Sequence, residues 1–334
     1  MEKTVEVIEK SQTAEVRRVV SEMGRARGLE ERDLARAELV ATEVSTNLVK
    51  YGKRGLVAVS WFNEGGASGL QLVAVDHGPG FSDFAASARD GHSTGGSLGI
   101  GLGALMRSAD LFDMYSVEAA GSAFLIRIAA GGAKTQPVPG SLLVGSRAMP
   151  KPGQDVSGDA WAFQRAGRWQ RICLVDGLGH GPLAASASAE AIRVFRSAAE
   201  GDSTTDILNQ AHLALKTTRG AVMAVMAIDT AAGVACYCGV GNLAGVIFGG
   251  AKNQHLASIE GTVGYAVRSL RPHEVPWTRE STLVLNSDGL TSRWNLARSP
   301  GLLARHPALV AAVLHRDFAR ELDDSTVVVA KASS

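Results

Sequence analysis

Glu43 and Asn47 stand four residues apart in the run Glu43-Val-Ser-Thr-Asn47, so a helix presents both on one face. A carboxylate and an amide oxygen placed that way can hold a hydrated Mg2+, which takes oxygen ligands and keeps several waters. Asp76-His-Gly-Pro-Gly80 follows an apolar run. Its aspartate can accept a hydrogen bond from an exocyclic amine, and Gly78 and Gly80 allow a tight turn against a flat ring. The third segment is Ser97-Leu-Gly-Ile-Gly-Leu-Gly103, leading into a helical pattern. There Gly99, Gly101 and Gly103 let successive backbone N–H groups approach phosphates at a helix start. Singly, these are a solvated helix face, a turn and a common glycine run. In this order and spacing they describe a nucleotide cradle.

A second constellation is acidic. Asp159 in VSGDAW, Asp176 in VDGLGHG and Asp288 in NSDGLT each adjoin a glycine, and Asp323-Asp324 opens DDST. One aspartate at a strand end is usually a turn residue or helix cap. Four such sites separated by long strand-like stretches suggest convergence. Oxygen-only ligands favour Mg2+ or Mn2+ over zinc. Two such ions about 3.5–4 Å apart can direct in-line attack on a phosphate. Three neighbours are ambiguous. His180 serves as a general acid or as a structural loop residue, Asn242 in GVGN reads as a turn-builder, and Arg219 reads as an exposed arginine able to meet phosphate or a partner.

The elements that must position these groups are legible from periodicity. Helical spacing covers about 14–27 and 31–51, the latter ending at Gly52. Strand-like runs start at Leu56 and Leu70 around the turn NEGGASG, and FDMYSV and AFLIRIA follow the glycine-rich segment. Residues 133–140 are rich in small residues and proline and read as a linker, which divides the chain into 1–132 and 141–334. The second part has many strands and two central helices, about 183–199 and 205–216. The fold class is α+β: an α/β sandwich, then a β-sandwich covered by helices.

The chain has 334 residues, enough for about two domains of roughly 150 each. A formal net charge of +1 gives no bulk attraction to nucleic acid or anionic membrane. The first residues lack the apolar core of a signal peptide, and no apolar run is long enough to span a bilayer. Cys173, Cys236 and Cys238 lack zinc-type spacing. They read as reduced thiols, which points to the cytoplasm.

The first part resembles the GHKL ATPase superfamily, in particular the anti-sigma-factor serine kinases of the RsbT and RsbW type. ELVATEVSTNLVKYG, DHGPGF and DGHSTGGSLGIGLGALMRSAD carry the likeness. The resemblance implies helices layered on a mixed sheet. It implies ATP with Mg2+ on Asn47, adenine on Asp76 in a pocket shaped by Gly78 and Gly80, and phosphates at Gly99, Gly101 and Gly103. It makes 90–97 the ATP lid and Glu43 the general base. It supplies no phosphoacceptor histidine helix, and His77 and His92 read as loop residues.

The second part is similar to the metal-dependent protein phosphatases (PPM) in their SpoIIE/RsbX branch, through CLVDGLGHG, TRGAVMAVMAID, GVGN, LVLNSDGLTSRW and DDSTVVVA. That likeness implies two Mn2+ or Mg2+ ions. Asp176 would bridge them, the Gly177 carbonyl would complete one shell, Asp159 would serve one ion mainly through water, and Asp288 and Asp323 would hold the other. Together the resemblances imply a fusion that phosphorylates and dephosphorylates a STAS-domain anti-anti-sigma or stressosome-type partner, with homodimerisation allowed. Two alternatives stand beside it: a phosphatase with a nucleotide-gated first domain, and a non-catalytic partner-sequestering switch.

Overall fold

Apolar side chains at helical spacing build the first layer. Val16, Val19 and Val20 form the buried stripe of α1 (Lys10–Ala26), and Leu34, Ala37, Val40, Ala41, Val44 and Leu48 that of α2 (Glu31–Tyr51). α1 starts before its apolar pattern because the Gln12 side chain accepts the Glu9 N–H at 2.8 Å, capping the first turn. Both stripes pack with alternate residues of a five-stranded sheet, including Val57, Val59, Leu70, Leu72, Ile126 and Ile128. The strands are β1 (Lys3–Val7), β2 (Gly55–Glu64), β3 (Ala67–Val75), β4 (Leu111–Val117) and β5 (Gly121–Ala129), in the order β1-β2-β3-β5-β4. Every pairing in it is antiparallel, a correction to the mixed sheet that the resemblance implied. Short hairpins join β2 to β3 and β4 to β5, and a two-residue turn or similar tight link permits only antiparallel neighbours. β1 escaped the sequence reading because only Val5 and Val7 of its five residues are buried.

The computed structural model describes residues 2–81, 103, 105–134, 136, 138–250, 252–291, 294, 296–320 and 322–333. They form two compact units, one of Met1–Pro137 with Leu296–Arg316 and one of Val138–Asn295 with Asp317–Ser334. The late segment of the first unit is tied to the sheet by polar contacts. The His306 main-chain N–H donates to Asp113 Oδ2 at 2.8 Å, Arg305 pairs with Asp113 at 3.3 Å, and the Tyr115 hydroxyl donates to the Pro300 carbonyl at 3.3 Å. His306 Nε2 lies 3.5 Å from Glu64, which also receives the buried Arg127 guanidinium at 2.8 Å. Burial alone would raise the Glu64 carboxyl, but His306 and Arg127 hold it down at about 2.

The second unit is a sandwich of two antiparallel five-stranded sheets. Its strands in chain order are β6 (Leu142–Met149), β7 (Asp159–Ala166), β8 (Trp169–Gly177), β9 (Ala221–Asp229), β10 (Val234–Val240), β11 (Ala244–Phe248), β12 (Gln254–Leu256), β13 (Gly261–Thr262), β14 (Ala266–Val267), β15 (His273–Pro276), β16 (Thr282–Asn286) and β17 (Ser325–Ala332). One sheet runs β15-β10-β9-β8-β7 and the other β12-β11-β16-β17-β6. Strands buried on both faces explain the continuous apolar runs. Ile172 and Leu174 of β8 enter the core between the sheets, while Cys173 and Val175 pack under α3 (Pro182–Ser197) and α4 (Thr204–Ala214). The cysteines are all free thiols, and Cys173 and Cys238 are buried. Among the described residues, no helix is long and apolar enough to cross a membrane.

Candidate nucleotide and metal sites

α2 and the end of β3 meet at a solvent-open cleft of about 130 Å3. Asn47, Tyr51, Asp76, Gly80, Phe81 and Phe124 line it. Gly52 makes the approach possible: a Cβ there would stand 2.6 Å from the Leu48 carbonyl and 3.2 Å from the Asp76 side chain. Asp76 is only 5% exposed, and its Oδ1 accepts the Gly78 N–H at 2.6 Å. Burial raises its carboxyl above the usual range, opposed by the Gly78 N–H and the Arg316 charge. Phe81 and Phe124 stack at 6.4 Å between centroids, so the cleft offers flat apolar walls beside one buried acceptor. Those features suit a heteroaromatic ring with an amine edge. Gly80 takes a left-handed φ of 62° in the wall. Glu43 is half-buried one turn before Asn47, and Gly103 is buried in a helical turn. Gly99, Gly101 and the expected lid, 90–97, lie outside the described residues.

The acidic residues meet by strand pairing. Asp159 opens β7 and Asp176 is the penultimate residue of β8, and the antiparallel register sets them directly opposite each other. Asp288 follows β16 and Asp323 precedes β17, neighbours in the other sheet. Each sheet therefore delivers acids from one adjacent strand pair, and Asp176, Asp288 and Asp323 line a single cleft with Lys151, His180 and Asn242. Gly177 carries no side chain because a Cβ there would overlap the Ala184 carbonyl, so α3 can pack close behind Asp176.

Asp159 lies 7% exposed, with Oδ2 accepting the Ser287 hydroxyl at 2.6 Å and Oδ1 buried without a partner. Burial first, then the carboxylates of Asp324 and Asp288, push Asp159 up to about 7. Burial and the neighbouring acids, Asp159 foremost, push Asp176 up to about 8. The donor set fits divalent cations. It is all oxygen, one buried carboxylate oxygen lacks a partner, and the cluster holds protons that a cation would replace. Among the described residues, no three acidic, histidine or cysteine side chains converge as a ready ligand set. The carboxylates line the cleft without closing on one point.

Comparison with known proteins decides the family. A model described as Stage II sporulation protein E (SpoIIE) matches residues 167–333, half of the 334-residue chain. The chain belongs to the SpoIIE family. A histidine kinase-like ATPase domain model matches residues 8–127, ahead of the SpoIIE region. Serine/threonine-protein kinase RsbT of Bacillus subtilis (strain 168) is 34% identical over 90 residues, 27% of this chain and 68% of RsbT. Phosphoserine phosphatase RsbX of the same organism is 28% identical over 142 residues, 42% of this chain and 70% of RsbX. A solved structure from work on the bacterial stressosome aligns with TM-score 0.53 and 27% identity, over 57% of this chain and all of that one. The chain thus fuses a kinase-like ATPase domain to a SpoIIE-type PPM phosphatase domain, and both α+β folds stand as expected.

Three residues of this SpoIIE-family chain make contacts that the motifs do not give. Asp324 accepts N–H bonds from Lys151 at 2.8 Å and Gly158 at 2.9 Å, which pins the loop before Asp159. Asn242 does more than build a turn: its amide donates to Asp288 Oδ2 at 2.8 Å and orients that carboxylate. Only the GVGN run pointed to it. Arg316 lies in sequence among the phosphatase motifs, yet its guanidinium donates to the carbonyls of Asp76 and Ser122 at 3.1 and 3.2 Å, within the first unit. The Asp76 N–H also donates to the Ser122 carbonyl, so Arg316 clamps the strand ends that carry Asp76. Arg316→Ala is expected to weaken ATP binding about tenfold, near 1.4 kcal/mol. Arg316→Lys should recover part of this, because one ammonium spans two carbonyls poorly. Calorimetric titration reads both, and an unchanged Kd in the alanine variant would leave the clamp without a role in binding.

Proposed function

We propose that this protein is a partner-switching regulator with two opposed activities. Its ATPase-like domain transfers phosphate from ATP to a serine or threonine of a STAS-domain protein. Its SpoIIE domain removes phosphate from phosphoserine or phosphothreonine with Mn2+ or Mg2+. The observation that carries this reading is the delivery of Asp159, Asp176, Asp288 and Asp323 to one end of the sandwich by two adjacent strand pairs. RsbT and RsbX, a named kinase and a named phosphatase, support the pairing. ATP use and reduced thiols make a cytoplasmic setting part of the reading.

In the SpoIIE domain, Asp176, the Gly177 carbonyl, Asp159, Asp288 and Asp323 are the candidate ligands. Divalent ions bound there supply a nucleophilic water at neutral pH and neutralise phosphate charge. Asn242 and Ser287 fix two of the carboxylates, and His180 stands on the cleft wall as a candidate proton donor to the leaving serine oxygen. In the first domain, Asp76 takes the adenine amine, Asn47 serves Mg2+, and Glu43 accepts the proton of the attacking hydroxyl.

The test combines the full-length protein with a STAS-domain protein of its own organism. Labelled ATP with Mg2+ is expected to phosphorylate that partner, and Mn2+ without ATP is expected to strip the label. ATP binding without transfer would remove the kinase half, and persistence of the label in Mn2+ would remove the phosphatase half. A second reading has its own support. Between Asp288 and Asp323 the chain contributes Leu296–Arg316 to the nucleotide-binding unit. That path suits gating of the phosphatase by nucleotide, which predicts that a non-hydrolysable ATP analogue changes the dephosphorylation rate.

A further inference from the structure

Large apolar side chains left in water collect around the acidic cleft. Seven are exposed among the described residues of the second unit: Val138, Val156, Leu178, Leu183, Leu213, Tyr265 and Leu322. Five of these border the cleft or the loops that frame it. Leu178 and Leu322 line it directly, at 40% and 81% exposure. Gly181 faces the Gln154 side chain and Gly158 packs on Ala184, so the Val156 loop lies beside the start of α3, where Leu183 projects. The Leu178 N–H donates to the Gly220 carbonyl at 3.1 Å. The Tyr265 ring packs on Gly220, and its hydroxyl donates to the Thr218 carbonyl at 3.1 Å.

Cations stand inside this apolar border. Lys151 lines the cleft with three aspartates, yet among the described residues its ammonium forms no ion pair. Arg219 Nη1 approaches Gly179 on the same loop as Leu178. Water strips little from a lone exposed leucine, but an apolar border around a charged centre marks a binding surface.

Building on the phosphatase reading, we infer that this rim is a docking surface for a protein segment carrying its phosphoserine between apolar residues. Lys151 in the cleft and Arg219 beside Gly179 can pair with the phosphate dianion, which the divalent ions of the phosphatase reading would hold over the aspartates, and the flanking side chains match Val156, Leu178, Leu183, Tyr265 and Leu322. A small phosphomonoester meets the cleft and leaves the rim unused. A second copy of this chain fits less well, because it would set cleft acids against cleft acids.

The test uses the full-length protein in Mn2+ with three substrates. They are p-nitrophenyl phosphate and two phosphoserine peptides of equal length and charge, one flanked by Leu and Val and one by Gln and Ser. The wild type is expected to prefer the apolar-flanked peptide about tenfold in kcat/KM. Leu183→Ser/Tyr265→Ser is expected to lose that preference while keeping p-nitrophenyl phosphate turnover, and Leu183→Ile/Tyr265→Phe is expected to retain it. Equal use of both peptides by the wild type overturns the inference, as does a proportional loss on all three substrates in the serine variant. A wild-type dimer that this variant dissociates would reassign the rim to self-association. Hydrolysis of p-nitrophenyl phosphate separates the two readings: if it persists while the peptide preference fails, only the docking surface falls. If wild type cleaves none of the three, the phosphatase reading falls and takes the surface with it.

Discussion

Asp176→Ala is expected to lower Mn2+-dependent turnover of a phosphoserine substrate by about 10^3-fold or more, near 4 kcal/mol of transition-state stabilisation. Asp176 stands at the strand end opposite Asp159 and lines the cleft with Asp288 and Asp323. Removing it would delete one of the carboxylates proposed to hold the divalent ions. The fold should persist, because the neighbouring Gly177 backbone stays in the β8–β9 ladder. Full turnover by a folded Asp176→Ala protein would end the two-metal assignment.

The same residue has a stability signature in metal-free protein. Burial and mutual repulsion hold the carboxyls of Asp159 and Asp176 at about 7 and about 8, far above the unfolded value. A carboxyl that binds its proton more tightly when folded favours the fold below its unfolded pKa. That advantage is lost as pH rises through the folded pKa. Chelated protein should therefore lose thermal stability from about pH 4 to pH 8, most steeply near 5 to 7, where the unfolded carboxyls are ionised and the folded ones still hold their protons. Added Mn2+ should restore it at the alkaline end, where the carboxylates are free to bind. Asp176→Asn should flatten the chelated profile. A melting temperature that climbs with pH in EDTA contradicts the buried cluster.

Asp76→Ala is the second large effect, with ATP affinity expected to fall about 100-fold or more, near 2.7 kcal/mol. A buried charged acceptor contributes more than a neutral hydrogen bond, and its loss leaves the base amine unpaired in an apolar slot. Asp76→Asn should also bind poorly, since its amide presents donors where the amine needs an acceptor. Inosine triphosphate, which lacks the amine, should bind wild type weakly and lose little further affinity in Asp76→Ala. Equal losses for both nucleotides would move the adenine contact elsewhere.

Local chemistry was legible from residue order. α2 and its Gly52 end, the β2–β3 hairpin, the strand ends at Asp76, Asp176 and Asp288, and the alternating Cys236 and Cys238 all follow from periodicity and turn residues. These are properties of a few consecutive residues, because backbone period and turn conformation are set within one or two turns of chain. The acids of the second site were likewise identifiable one by one, Asp159, Asp176 and Asp288 from a glycine at a strand end and Asp323 from the acidic pair before a strand.

Their convergence belongs to the tertiary structure. That Asp159 faces Asp176 depends on the β7–β8 register, and that Asp288 joins Asp323 depends on β16 pairing with β17 across an intervening helix. Register is chosen by which faces bury together, a non-local balance that no short window contains. The same holds for the division of work in Asp323-Asp324. One lines the cleft and the other pins backbone N–H groups more than 160 residues earlier in the chain. It holds most clearly for Arg316, whose sequence neighbours belong to the phosphatase motifs while its guanidinium secures the carbonyls of Asp76 and Ser122. Spacing along the chain names which groups can do chemistry; burial of distant apolar faces decides which of them meet.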